Sequence, residues 1–256
     1  MGKAHQLAYR RQAILNAITE AGQLSVRELS ERFNVSEVTI RADLQALSAR
    51  DMLLRTRGGG LSIEALPELS FDVRQQQFAE EKSRIGRGAA LLVESGCTIA
   101  LDASTTAAAI LPHLSHLTEL NIVTNSLKVA MNVLRLPNLQ VYVIGGQLRR
   151  DSISLVGQSI NELAPTINVD IGFFGARGLS VEHGLTDVHL EEVKIKRRMV
   201  KNCRRVVGVL HSQKLGQIAA ATFAHLEQVD TIITDGAAPK NMVAQIQDNG
   251  VEVILV

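Results

Sequence analysis

Four residues, Val38, Arg41, Ala42 and Gln45, recur at i, i+3, i+4 and i+7, so an arginine and a glutamine share one helix face. The opposite face is the apolar stripe Ile40, Leu44 and Leu47. Arginine and glutamine presented this way can bond to base edges in a duplex groove. A second set of chemistry-bearing residues follows apolar runs further along: Asp102-Ala103-Ser104-Thr105-Thr106, Thr124-Asn125-Ser126, Gly145-Gly146 and Lys214. Hydroxyls and backbone N–H groups at a helix start can hold a phosphate, glycines admit close backbone approach, and a lysine supplies a mobile point charge.

The elements that must position the first set are legible nearby. Ser25 with Glu28 three residues on forms a capping box, which starts a helix carrying Val26, Leu29 and Phe33 on one face. Asn34 and Val35 make the turn, and Ser36 caps the next helix. Leu53 and Leu54 then begin a hairpin in which Arg55 and Arg57 flank Thr56 and Gly58, Gly59 and Gly60 let the backbone approach a phosphate. This is the layout of a winged helix-turn-helix whose second helix enters the major groove. Ser25 starts the positioning helix. Ser36, Glu37, Thr39, Arg41 and Gln45 face the groove, and Arg55 and Arg57 touch phosphate or the minor groove. A helix over Arg10–Gly22, with Ile14, Leu15 and Ile18 on one face, packs behind the motif.

Residues 64–81 read as a linker with apolar anchors, and from Lys82 apolar strands alternate with amphipathic helices. That alternation indicates an α/β domain: a doubly wound, mainly parallel sheet covered on both sides, with ligands beyond the carboxyl ends of its strands. The expected organisation is therefore 1–63, a linker 64–81, and 82–256. Residues 1–63 hold 9 Lys+Arg and 6 Asp+Glu, a charge of +3; the other 18 and 20 give −2. The basic excess sits where duplex DNA would, and its small size favours two heads presented by a homo-oligomer, dimer or tetramer. Aromatics at 3% disfavour a single-stranded RNA binder.

No apolar run approaches the roughly 18 residues that span a bilayer, and the first residues lack a signal-peptide core. A soluble cytoplasmic protein with no membrane partner is expected. Cys97 and Cys203 stand in no metal-ligand spacing, so no metal and no cofactor are expected. Asp187, Glu191 and Glu192 are available carboxylates, but their charged setting reads as a solvated face or a hydroxyl contact, so no catalytic residue is assigned.

The run V-S-x-x-T-I-R-x-D-L-x-x-L leading into a basic strand and a Gly-Gly turn resembles the DeoR family of bacterial transcriptional regulators. The later order D-A-S-T-T, T-N-S, G-G-x-L-R, D-x-x-F-x-G-A-x-G, E-x-x-x-K-R and x-x-x-K is similar to that family's effector domain, and Phe71, Arg74 and Lys82 also match. The resemblance implies a sheet related to ribose-phosphate isomerases and CoA transferases. It further implies a repressor of carbohydrate-metabolism genes released from its double-stranded operator by a phosphorylated sugar. It assigns effector contacts to Asp102, Ser104, Thr105, Thr106, Asn125, Gly145, Gly146, Glu192, Lys196 and Lys214. Two positions depart from the pattern: Ala42 stands where the family has Arg, and His211, where it commonly has Asp, is carried as a further contact. The rival reading is a sugar-phosphate isomerase-like enzyme, since such a sheet suits either use.

Overall fold

The computed structural model describes residues 3–21, 23–48, 53–55, 58–62, 71–157 and 167–256, so Arg57 and the first part of the expected linker, 64–70, lie outside the described residues. The chain divides into two compact units, Met1–Ser70 and Phe71–Val256.

The first unit runs α1 (Lys3–Ala21), β1 (Gln23–Ser25), α2 (Val26–Phe33), α3 (Glu37–Ser48), β2 (Leu53–Arg55) and β3 (Gly59–Ser62). The helix expected from Arg10 thus begins earlier, at Lys3. Ser25 caps α2 with both halves of the capping box in place, and Asn34 ends it in the left-handed conformation at φ 50°. Ile14, Ile18, Leu29, Ile40, Leu44, Leu47 and Leu53 make one core. Each such side chain contributes about 1.5–3 kcal/mol on burial, which holds three short helices together. The wing is a three-stranded sheet in the order β1-β3-β2, with a strand, β1, that the hairpin reading did not contain. It explains Gly59: a Cβ there would lie 2.1 Å from the Leu24 carbonyl oxygen, so the pairing with β1 requires a glycine at this position.

The second unit opens with α4 (Phe71–Gln76) and α5 (Ala79–Ala90), followed by β4 (Thr98–Leu101), α6 (Thr105–Ala108), β5 (Leu120–Thr124), α7 (Leu127–Val133) and β6 (Leu139–Val143). A small hairpin, β7 (Gln147–Arg149) and β8 (Ser154–Val156), precedes β9 (Val169–Phe174), β10 (Gly178–Ser180) and β11 (Gly184–Asp187). Then come α8 (Leu190–Lys201), β12 (Cys203–Val209), β13 (Ala221–Ala224), β14 (Thr231–Thr234), α9 (Lys240–Asp248) and β15 (Glu252–Leu255). Residues from Phe71 onward, grouped with the linker by their polarity, are helical here because Phe71 is fully buried in the core beside Ile85 and Ala89. The run Ser104–Leu114 is helical only over the four residues of α6 and a 3-10 turn at Leu111–His113, where Pro112 removes a donor.

Seven parallel strands form the main sheet in the order β15-β14-β12-β9-β4-β5-β6. Inner strands are buried nearly throughout, as runs covered on both faces must be; the edge strands β6 and β15 are more exposed. Ile99 and Leu101 point to the side of α5–α7, and Ala100 to the side of α8. The sheet is doubly wound, as expected, and its order reverses between β4 and β9, which opens a crevice at their carboxyl ends.

Candidate functional site: an exposed helix face and a buried sheet edge

In the first unit α3 presents its polar face outward. Val38 is 73% exposed, and Arg41, Ala42 and Gln45 are exposed with it. Glu37 and Arg41 pair at 2.6 Å across one turn in water, an interaction worth little and easily exchanged. Ser36 Oγ accepts the Thr39 N–H at 3.2 Å, which starts the helix; Thr39 is half-buried. Arg55 lies on β2, paired with Gly60, and its side chain is outside the described residues, as is Arg57.

One residue of α3 absent from the expected site holds the helix in place. Asp43 is 1% exposed and accepts from Arg10 Nε at 2.7 Å and Arg11 Nε at 2.9 Å, both on α1. A buried carboxylate gripped by two guanidinium groups fixes both the depth and the rotation of α3. The signal was available: position 43 falls in the apolar stripe 40, 44, 47, where an acid needs a partner.

In the second unit the switch point is occupied by a charge cluster. Asp102, at the end of β4, is fully buried; it accepts the N–H of Ser104 and that of Gly175, the residue after β9, each at 3.0 Å. Lys196 of α8 lies 3.0 Å from Asp102 and 2.6 Å from Asp187, donates to the Gly175 carbonyl at 2.8 Å, and sits over the Phe223 ring. Burial pulls the Lys196 ammonium down, but Asp102 and Asp187 more than reverse this and hold it above the ordinary lysine value. Burial likewise works against the Asp187 carboxylate, and Lys196 overrides it, so Asp187 lies below the usual carboxylate range. Asp187, read in the sequence as a solvated face or a hydroxyl contact, is instead one of the two buried acids that flank Lys196.

Glu192, one turn before Lys196, is also buried, which removes the solvated-face alternative but not the hydroxyl contact. It accepts from Ser152 at 2.9 Å, from Ser154, and from Arg149 at 3.3 Å, and so pins the β7–β8 hairpin to α8. Glu191 is exposed, paired with Lys194. Asn125, after β5, is 1% exposed; its Nδ2 donates to the Leu155 carbonyl at 3.3 Å, while its Oδ1 accepts no hydrogen bond among the described residues. Ser104 Oγ accepts the Ala107 N–H, which is the plain capping role, and Thr105 and Thr106 are each 6% exposed. Because α6 is only four residues long, the dipole expected to favour a phosphate is small.

Gly146 has φ 151°, and a Cβ on it would meet the Val156 carbonyl oxygen at 2.4 Å, so its close approach is to the hairpin. Gly145 faces open space. His211 is buried and stacks on Phe78 at 4.2 Å, and Lys214 is half-buried in the 3-10 turn after β12. From β6 to β12 there are five adjacent strands, about 19 Å across at roughly 4.8 Å per spacing. The strand ends gather Asp102, Gly175, Asn125 and Lys196 at the centre; Gly145 and Lys214 stand toward the two flanks. Among the described residues no group of His, Cys, Asp and Glu could hold a metal ion, and no helix is long and apolar enough to cross a membrane. Burial pushes the Cys203 thiol up to about 12, away from the thiolate form.

A winged helix-turn-helix with a bare outer face, followed by a separate α/β unit with a polar switch point, defines a two-domain transcriptional regulator. Residues 10–65 match the DeoR-like helix-turn-helix domain and residues 77–236 match the DeoR C terminal sensor domain. The chain belongs to the DeoR family and is a DNA-binding transcriptional regulator. It is 33% identical over 245 residues to the HTH-type transcriptional regulator GolR of Listeria innocua, covering 95% of this chain and 96% of that one. It is 30% identical over 250 residues to the glycerol-3-phosphate regulon repressor of Escherichia coli, covering 96% and 98%. Among solved structures it is similar to ribose 5-phosphate isomerase A of Methanocaldococcus jannaschii at 19% identity and a TM-score of 0.40, over 54% of this chain and 55% of that one, a likeness too slight to bear on chemistry.

Proposed function

We propose that the protein is a repressor that inserts α3 into the major groove of its operator and is released by a phosphorylated sugar or similar metabolite at the switch point. The reading rests above all on the outward face of α3: Arg41 and Gln45 are exposed beside Val38 and Ala42, while the other face of the same helix is fully buried. In the proposed complex Arg41 and Gln45 meet base edges, and Ser36, Glu37 and Thr39 line the groove entrance. Arg55 and Arg57 of the wing reach the backbone.

At the sheet edge Asn125 Oδ1, a buried acceptor lacking a described donor, supports a ligand that brings a hydroxyl. Thr105, Thr106 and Lys214 are the proposed partners of its anion. Asp102 and Lys196, mutually satisfied, shape the crevice, as does Glu192 through the hairpin. His211 braces the Lys214 turn against Phe78. A relative's name as a glycerol-3-phosphate regulon repressor supports a phosphorylated effector. Two heads carried by a dimer or tetramer, in the cytoplasm, complete the proposal.

The test is an electrophoretic shift assay with DNA from upstream of the gene, repeated over a panel of phosphorylated three- to six-carbon sugars. At least one should release the complex, and Asn125→Ala should blunt that release. Complexes that survive the whole panel would refute the sugar-phosphate effector, and turnover of a panel member would favour an isomerase.

A further inference from the structure

A groove of about 510 Å³ crosses the helical face of the second unit, bounded by α4 and α5 on one side and by α6, the 3-10 turn and the end of α7 on the other. Its volume falls within the range of small-molecule sites. The floor is apolar, built from Ala108, Ala109, Leu111, Pro112 and Leu136. The described walls carry the basic side chains of Lys82 and Arg135 and the imidazole of His113. Among the described residues no carboxylate lines the groove.

Arg135 is exposed, and neither its side chain nor that of His113 makes a hydrogen bond or ion pair among the described residues. Lys82 is 6% exposed and is held by the carbonyls of Arg74 and, at 2.8 Å, Gln77, which places a rigid cation at the α4–α5 end. Ser83 and Asn132 add hydrogen-bonding groups along the walls. Positive charge over an apolar floor, with no carboxylate among the described lining residues, attracts negative charge attached to an apolar body.

We infer that this groove binds an organic anion with an apolar body, such as an aryl or acyl phosphate or carboxylate, at a site distinct from the switch point. Thr105 lines the groove and also belongs to the loop after β4, but the cations and the floor are the groove's own. The inference does not rest on the proposed effector, whose contacts lie at the strand ends.

Isothermal titration of the full chain with 1-naphthyl phosphate tests it, with inorganic phosphate and 1-naphthol as the two halves of the probe. Saturable binding at one per chain is expected, with each half weaker by roughly tenfold or more. Arg135→Glu should weaken the probe about tenfold or more, whereas Arg87→Glu, an exposed α5 residue outside the groove, and Asn125→Ala should not change it. The inference fails if the probe does not saturate, if inorganic phosphate binds as well as the probe, or if Arg135→Glu acts no differently from Arg87→Glu. It also fails if Asn125→Ala abolishes binding, which would move the probe to the switch point.

Discussion

The two units treat charge in opposite ways. On α3 the ionic side chains Glu37 and Arg41 are about half exposed and pair with each other, whereas at the switch point Lys196, Asp102 and Asp187 are almost wholly removed from water. A surface meant for a polyanion keeps its cations hydrated and mobile, because their partners arrive with the ligand. A crevice meant for a small molecule needs walls that stay put, and buried ion pairs fix walls at the cost of desolvation. The same residue types therefore carry opposite expectations: at the edge, deletion should destabilise the fold; on α3, it should spare the fold and weaken binding.

The largest effect should come from Lys196→Ala, which leaves Asp102 and Asp187 facing each other in a buried site. A loss of about 3–5 kcal/mol in the unfolding free energy of the second unit is expected from denaturant titration. Lys196→Met, which keeps the stem but not the charge, should fall in the same direction, since the two acids remain uncompensated. The pH dependence follows from the two shifts. Asp187, with its folded value depressed, stabilises above the ordinary carboxylate pKa of about 3.9, and that contribution is lost as pH falls through the folded value. Lys196, with its folded value raised, stabilises below the ordinary lysine pKa of about 10.4 and loses that contribution only at more alkaline pH. The cluster should thus contribute evenly across neutral pH and fail first in acid; a thermal midpoint rising as pH is lowered from 5 toward 3 would contradict this.

Asp43 blurs the contrast, since it is a buried charge inside the DNA-binding unit. Its partners Arg10 and Arg11 keep about a quarter of their side-chain surface in water, so removing the acid strands less than at Lys196. Asp43→Ala should cost about 2 kcal/mol in the first unit. It should also weaken operator binding more than Gln45→Ala, because the whole helix is released from α1. Operator affinity unchanged in the folded variant would show that α3 is positioned by its apolar stripe alone.

The sequence made the first unit more legible than the second for a physical reason. Capping, turn and stripe at Ser25, Asn34 and Ile40–Leu47 are local, and local rules fix a helix-turn-helix to within a few residues. The strand β1 was not legible, because three residues, Gln23–Ser25, become a strand only by pairing with β3, over thirty positions away. In the second unit the alternation of strands and helices exposed the parallel sheet and the loops at its edge. The pairing of Asp187 with Lys196 did not show, since the two meet only once α8 packs on β11 and β9. A clue lay in the E-x-x-x-K spacing of Glu192 and Lys196 on the same helix face as Val193 and Met199, which marks both charges as buried.

The smallest expected effect on stability, and the sharpest test of the contrast, is Arg41→Ala. Its only described ion pair is with Glu37, both residues being about half exposed, so the unfolding midpoint should scarcely move. Operator affinity should nonetheless fall by about 1–3 kcal/mol, with preference lost at one base position, if Arg41 reads a base edge. The shape of the loss separates two chemistries. A base contact weakens the operator far more than random DNA, while a phosphate contact weakens both alike and lowers the salt dependence of binding by about one counterion. Ala42 beside it offers no long side chain to take over, so Arg41 and Gln45 are the long polar side chains left to read bases from this face. If Arg41→Ala left operator affinity intact, the wing rather than α3 would have to supply the specificity.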